Sequence, residues 1–122
     1  MRAAMDNSQI KRGDIYYANL DPVIGSETGK IRPVLVIQND IGNRYSPTTI
    51  VAIITEYSDK KASYPICVAI RKGEGLKKDS IVNCSQIRTI DKKRLIPSKI
   101  ASLSNELIGE VDEAIKNSLA LR

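Results

Sequence analysis

Short apolar runs rich in β-branched residues, each closed by a turn sequence, constrain the fold of this chain more than any other feature. They stand at residues 14–20, 34–37, 49–55, 65–70 and 80–90, with Gly-, Pro- and Asn-rich loops between them, such as "NDIGNRYSP" at 39–47. Strands this short and this closely spaced are typical of a small β-barrel or β-sandwich. We therefore expect a mainly β fold of about five strands, in which residues 80–90 form one strand or two with a bend.

The end of the chain has a different period. Ser104 is suited to cap a helix, Glu106 falls in its first turn, and Leu103 can pack against Ile108 across the cap. Apolar residues then recur at helical spacing: Leu107, Ile108, Val111, Ala114, Ile115 and Leu119. This pattern predicts a C-terminal amphipathic helix lying on the β domain.

The length of 122 residues suits one domain with a genuine core. Residues 1–10 are mostly polar and without pattern, so we expect a leader there and a single domain over 11–122. Cys67 and Cys84 lie in apolar, strand-like stretches, which favours two reduced thiols packed in a core. No cysteine spacing resembles a zinc site and the chain has no histidine, so we expect neither metal nor cofactor.

No apolar run is long enough for a membrane span, and no signal-peptide pattern is present, so a cytoplasmic location is expected.

The net charge of +5 is unevenly distributed. Residues 104–122 hold four acidic and two basic side chains, whereas residues 1–103 hold seventeen basic and ten acidic ones. A basic body of this kind favours a polyanionic partner, such as nucleic acid or an acidic protein segment.

The absence of histidine also limits the chemistry. It excludes Ser-His and Cys-His nucleophile pairs, and no phosphate-binding glycine motif is present. An enzyme with this sequence must use Arg, Lys, Thr, Ser, Tyr or isolated carboxylates. Arg32, in "GSETGKIRPVLVIQND" (25–40), is the sharpest candidate, because Pro33 keeps it extended where a glycine-containing loop enters a strand. Its guanidinium fork would suit phosphate oxygens, or it could simply pair with Glu27 at the rim.

Other candidate functional residues are weaker evidence when each is taken alone. Thr55 ends the run 49–55, where its hydroxyl could bond a phosphate or ribose or merely reflect β-propensity. The aromatic residues are five tyrosines, of which Tyr57 and Tyr64 lie in loops and could stack on bases. Basic clusters at 60–61, 71–72, 77–78 and 92–94 also fall in loops, where solvated turns are commoner than phosphate clamps.

Four segments together resemble one family: "KRGDIYYANL" (11–20), "GSETGKIRPVLVIQND" (25–40), "VAIIT" (51–55) and "DSIVNCSQIRTIDKKRL" (79–95). They are similar to the MazF/PemK toxin endoribonucleases of bacterial toxin–antitoxin modules, in particular the Gram-positive branch. The resemblance implies an SH3-like β-barrel (CcdB/PemK-like) with a C-terminal helix. It also implies a homodimer that cuts single-stranded RNA without metal, and a MazE-type antitoxin whose acidic, poorly ordered tail fills the RNA groove.

Residue roles follow from the same resemblance. Arg32 matches the catalytic arginine of the family and Thr55 its catalytic threonine. The RNA-binding positions implied are Ser26 and Glu27 beside the scissile phosphate, Asn39 after the strand, and Gln86 at a base. Residues 56–78 depart most from the family pattern, which leaves the cleavage sequence open. Two alternatives also remain open: a CcdB-like toxin that poisons DNA gyrase without cutting RNA, and a non-catalytic RNA-binding barrel.

Overall fold

The structure, a computed structural model, describes residues 9–73 and 75–122. Within these residues the elements are β1 (Asp14–Asn19), β2 (Ile31–Val36), α1 (Asp40–Tyr45), β3 (Thr48–Glu56), α2 (Asp59–Ala62), β4 (Cys67–Ile70), β5 (Ser80–Asp91), β6 (Leu95–Ser102) and α3 (Asn105–Leu119). Most of the leader predicted over residues 1–10 lies outside the described residues. Of its last two residues, Ile10 is buried in the core.

One antiparallel sheet contains all six of these strands, in the order β4-β5-β3-β2-β1-β6. The sheet ends at β4 on one side and β6 on the other, so its ladder is open rather than closed. Every pairing is antiparallel, as expected for strands joined by short loops. The prediction of a mainly β fold with a C-terminal helix is confirmed.

Two apolar clusters occupy the two faces of the sheet. One contains Ile15, Leu35 and Ile54 from the sheet together with Val111 and Ala114 of α3. The other consists almost entirely of strand residues: Tyr16, Ala18, Val34, Val36, Val51, Ile53, Ile90 and Leu95 with Ile10 and Leu20. Because these side chains are buried without a long helix over them, the sheet must curl around this second cluster like a partly open barrel.

The C-terminal helix forms as its pattern predicts. Ser104 has an extended backbone, and its hydroxyl accepts a hydrogen bond of 3.2 Å from the Leu107 amide. The helix buries Val111 and Ala114 and ends at Ala120 in the left-handed conformation, with φ 56°. No helix in the described part of the chain is long and apolar enough to cross a membrane.

Two local predictions need correction. The loop predicted at 39–47 contains helix α1, because the Asn39 side chain accepts from the Gly42 amide at 2.8 Å and caps it. Strand β6 has no counterpart among the predicted strands. It is an exposed edge strand, so it needs no apolar alternation, and it contains Pro97 and Lys99, which are uncommon in central strands. Residues 80–90 lie in one long strand, β5, so the first of the two arrangements expected for them is confirmed.

Two glycines provide a test of backbone packing. Gly75 has φ +92°, and an added Cβ would lie 2.6 Å from the Ile100 carbonyl oxygen, whereas Gly109 on α3 has open space. We expect Gly75→Ala to lower the free energy of unfolding by about 2 kcal/mol or more. Gly109→Ala should raise it by about 0.5 to 1 kcal/mol. Urea unfolding measures both, and equal effects would contradict the packing of Gly75 against β6.

Candidate active site

A cavity of about 210 Å³ lies where β2 begins and β3 ends, and it contains both predicted catalytic residues, Arg32 and Thr55. The register of β1 with β2 places Arg32 opposite Ala18, and that of β3 with β5 places Thr55 opposite Ile81. Ala18 and Ile81 are fully buried. Each of the two polar residues is therefore paired with a buried apolar residue of the neighbouring strand, which helps to hold its backbone in place.

Arg32 is the second residue of β2 and is half-buried. Within the described residues, its side chain makes one long hydrogen bond, from Nε to the Gly29 carbonyl oxygen at 3.4 Å. Arg32 lines the cavity, and no other hydrogen bond of its guanidinium is found among the described residues. A guanidinium held on one edge in this way presents its remaining donors as a preorganised fork for phosphate oxygens.

Thr55 carries an unusual hydroxyl. Its Oγ1 is buried and, in the part of the chain that the structure describes, is the one buried side-chain N or O atom without a hydrogen-bond partner. Leaving such a group unpaired costs about 1 to 3 kcal/mol, and unpaired groups of this kind often mark a functional site or a water site. Thr55 and Arg32 line the same cavity, and a hydroxyl and a guanidinium are both groups that bond phosphate oxygens.

A second cavity, of about 130 Å³, contains two of the predicted RNA-binding residues, Glu27 and Gln86, together with Arg88. Glu27 belongs to the β1–β2 loop, and its Oε1 accepts a hydrogen bond of 2.6 Å from the Ile24 amide. This bond stabilises the loop turn and leaves the other carboxylate oxygen for a ligand. Glu27 lines this second cavity and not the one that holds Arg32 and Thr55.

Gln86 owes its position to a bulge in β5. Ala52 of β3 pairs with Ile87, but the next residue, Ile53, pairs with Asn83, so residues 84–86 lie outside the ladder with β3. The Asn83 side-chain oxygen accepts hydrogen bonds from the amide and the hydroxyl of Ser85, which shapes the bulge. Bulges commonly redirect side chains beside active sites, and this one is not evident from the apolar pattern of the strand.

The other two predicted RNA-binding residues line neither cavity. Ser26 is exposed in the β1–β2 loop, next to Glu27. Asn39 lies beyond the opposite end of β2 from Arg32, and its side-chain oxygen is engaged as the N-cap of α1. The structure therefore gives Asn39 a folding role, and its role toward RNA stays a prediction.

Three basic side chains hold loops and the ends of a strand and a helix in place, and two of them, Lys92 and Arg94, belong to the cluster at 92–94 for which a solvated turn was favoured. The Arg88 guanidinium donates to the Leu20 carbonyl oxygen at 2.5 Å, and that of Arg94 donates to the Asn19 and Asp21 carbonyl oxygens at 3.0 and 2.5 Å. Lys92 is buried and donates to the Asn43 carbonyl oxygen, and burial lowers its pKa. These carbonyl partners lie some 50 to 75 positions away, so sequence proximity gives no signal of them.

The cysteines do not contribute a nucleophile. Both are free thiols, and Cys84 is fully buried. Burial raises the pKa of Cys84 to about 11 and also raises that of Cys67. Because the thiolate is the reactive form, protonated thiols at neutral pH are inert. Neither cysteine lines the first or the second cavity, so neither is a candidate nucleophile there.

The sequence matches the family model of the PemK-like, MazF-like toxins of type II toxin–antitoxin systems over residues 11–119. It is 57% identical over 113 residues to Endoribonuclease EndoA of Bacillus subtilis (strain 168), covering 92% of this chain and 96% of the relative.

Solved structures agree with this match. The Mycobacterium tuberculosis toxin MazF-mt6 superposes with a TM-score of 0.74 at 27% identity, covering 89% of this chain and 98% of that one. An endoribonuclease from a mycobacterial species, solved in complex with its cognate antitoxin, superposes with a TM-score of 0.76 at 20% identity over 93% and 97% of the two chains, which supports the fold alone. The family match spans nearly the whole of the described domain, and the chain therefore belongs to the PemK-like, MazF-like toxins of type II toxin–antitoxin systems.

Proposed function

We propose that this toxin is a sequence-specific endoribonuclease that cleaves single-stranded RNA without a metal ion and leaves 2′,3′-cyclic phosphate and 5′-hydroxyl ends. In a cell, cleavage of mRNA would stop translation and growth. The observation that carries the proposal is that one cavity is lined by both Arg32 and Thr55, whose hydroxyl has no hydrogen-bond partner among the described residues. The 57% identity to a named endoribonuclease supports it.

The proposed reaction uses the RNA itself as the nucleophile. The 2′-hydroxyl oxygen attacks the neighbouring phosphorus in line, and the bond from phosphorus to the 5′-oxygen breaks. The 2′-hydroxyl proton passes to water, and the departing 5′-oxygen takes a proton from water. Negative charge builds on the non-bridging phosphate oxygens, where the Arg32 guanidinium stabilises it and the Thr55 hydroxyl orients the group.

The general base is a separate question. A guanidinium gives up its proton only above pH ~12, so an arginine is unsuited to this role. Glu27 fits it poorly, since its carboxylate lines the second cavity and supports the loop turn. We therefore propose that positioning of the 2′-hydroxyl, without a dedicated protein base, supplies most of the acceleration.

The proposed partners follow from charge and from the family. An acidic, MazE-type antitoxin segment would compete with RNA for the basic part of the chain, residues 1–103. A mycobacterial neighbour of the same fold was solved with its cognate antitoxin. We further propose that the toxin acts as a homodimer in the cytoplasm, where its RNA substrate lies.

The deciding experiment incubates the purified protein with a long single-stranded RNA in excess EDTA and maps the fragment ends. We expect discrete cuts with 5′-hydroxyl ends at one recurring sequence. Arg32→Ala protein, purified in the same way, controls for contaminating ribonucleases. Intact RNA beside folded protein would contradict the proposal. Salt-dependent RNA binding without cleavage would then favour a binding barrel, and stalled gyrase would favour a CcdB-like toxin.

A further inference from the structure

We propose that the cavity beside Arg32 binds one nucleobase that flanks the scissile phosphate, with its plane stacked on Tyr17. This inference rests on the proposed ribonuclease activity and adds a binding site for the substrate. The tyrosines that looked available for stacking from the sequence were Tyr57 and Tyr64. The described lining of the cavity that contains Arg32 includes Tyr17 and neither of these two.

The floor of this cavity is apolar and crosses several strands. Tyr17 of β1 pairs with Pro33 of β2, and Ile54 of β3 and Leu76 of the β4–β5 loop complete the lining. Ile54 and Leu76 belong to the core beneath α3 and are buried. The cavity is therefore an opening at the end of a preformed core, and its shape needs no rearrangement to receive a flat ligand.

Tyr17 is the exposed member of this floor. Ile15, two residues earlier on the same face of β1, is fully buried, whereas Tyr17 is 38% exposed. Within the described residues its hydroxyl makes no hydrogen bond. An aromatic ring held by a strand and open to solvent is the platform on which single-stranded nucleic acids stack their bases.

The rim of the cavity carries positive charge. Among the described residues, the rim has three basic side chains, Arg32, Lys77 and Lys78, and one carboxylate, that of Glu56. Lys78 and Glu56 form a 3.5 Å ion pair that is more than three-quarters exposed on both sides, so it is weak and easily exchanged. Lys77 makes no ion pair with the described carboxylates. An apolar floor with a cationic rim matches a base between two phosphates.

The position of this cavity favours RNA rather than a peptide as its ligand. Arg32 and Thr55, which would hold the scissile phosphate, are themselves part of the cavity wall. A nucleoside attached to that phosphate cannot lie more than one nucleotide away from them. The apolar floor that begins at these two residues is therefore the nearest surface that can take its base.

The first test measures the binding of an RNA oligonucleotide that spans one mapped cut and carries 2′-deoxyribose at the attacking position, so that it cannot be cleaved. We expect Tyr17→Ala to weaken binding by roughly tenfold to a hundredfold, as loss of one base stack does. Tyr17→Phe keeps the ring and should bind like the wild type. Tyr64→Ala is the matched control, because Tyr64 is 40% exposed and lines neither of the cavities described above.

Abasic substitution identifies the base concerned. Replacing the base on one side of the cut by an abasic residue should weaken binding to the wild type, and Tyr17→Ala should then cause no further loss. If the losses of affinity from abasic substitution and from Tyr17→Ala were additive at every position of the oligonucleotide, the inference would be overturned. It would also be overturned if Tyr17→Ala protein bound the intact oligonucleotide as tightly as Tyr64→Ala protein does. Thermal unfolding of each variant shows whether a loss reflects misfolding instead, and Tyr17→Leu, which fills the floor without a ring, then serves in its place.

Lys77 provides an independent readout. If its ammonium contacts a phosphate beside the stacked base, Lys77→Gln should reduce the slope of log affinity against log salt concentration by roughly 0.7. Lys60→Gln, an exposed lysine on α2, should leave the slope unchanged. An unchanged slope for Lys77→Gln contradicts the rim contact. Wild-type protein that cuts no RNA refutes the ribonuclease proposal and this inference together, whereas cutting with no effect of Tyr17 refutes this inference alone.

Discussion

Replacing Arg32 with alanine should abolish RNA cleavage while leaving the fold intact. Its guanidinium has one long hydrogen bond with the described part of the chain, at 3.4 Å, so little native structure depends on it. In the proposed reaction the same group faces the charge that develops on phosphate, and loss of one such preorganised donor typically lowers kcat by about 10²- to 10³-fold. Single-turnover cleavage of an end-labelled RNA measures the effect on the chemical step.

RNA affinity separates this prediction from a general loss of binding. Arg32→Ala should bind the non-cleavable oligonucleotide nearly as well as wild type, because most of the ground-state contacts remain. Arg32→Lys keeps the charge without the planar fork and should recover only part of the rate. Arg44→Ala removes an exposed arginine that stacks over Tyr45 on α1, and it should cut normally. Cleavage by Arg32→Ala at close to the wild-type rate would refute the catalytic assignment.

Thr55→Val should have opposite effects on activity and stability. Valine keeps the shape of threonine but removes a buried hydroxyl that has no partner within the described residues. The free energy of unfolding should therefore rise by about 1 kcal/mol. Cleavage should fall severely, though less than in Arg32→Ala, because the phosphate loses an orienting hydrogen bond while the arginine remains. Urea unfolding and single-turnover cleavage of the same preparation test both parts.

Thr49→Val is the matched control on the same strand. Thr49 is fully buried, but its hydroxyl donates to the Asn43 side-chain oxygen at 2.7 Å. Removing this satisfied hydroxyl should lower the free energy of unfolding by about 1 kcal/mol or more and leave cleavage unchanged. If the two valine variants changed stability in the same direction, the unpartnered state of Thr55 would be wrong. If Thr55→Val cut RNA normally, its catalytic role would be wrong.

The parts of the fold that the sequence predicts are those with a strong local signal. The helical spacing from Leu107 to Leu119 and the cap at Ser104 predict α3, and the β-branched runs predict the central strands. Helix α1 and strand β6 escape notice because neither has a clear apolar period. The side chain of Asn39 caps helix α1, and strand β6 forms because it pairs with β1 at the exposed edge of the sheet.

The residues of the candidate site also differ in how well the sequence predicts them. Arg32 is recognisable because Pro33 and the apolar strand after it fix its environment, and the structure places it in a cavity. Thr55 and Thr49 look alike in sequence, and only the absence or presence of a hydrogen-bond partner distinguishes them. Tyr17 escapes notice because its exposure depends on where the core beneath α3 ends. Hydrogen-bond partners and exposure that depend on distant parts of the chain cannot be read from the neighbouring sequence.

The bulge in β5 has a consequence for how toxins of this fold can diverge. On one side of it, Ile81 to Asn83 pair with the end of β3 that carries Thr55, and on the other side Ile87 to Asp91 pair with its beginning. Ser85 and Gln86 lie between these two ladders and belong to neither. Mutation can therefore change the chemistry of this short segment over generations while both flanking registers stay in place. With the RNA-binding role proposed for Gln86, one lineage could acquire a new target sequence while the strand that carries Thr55 keeps its register.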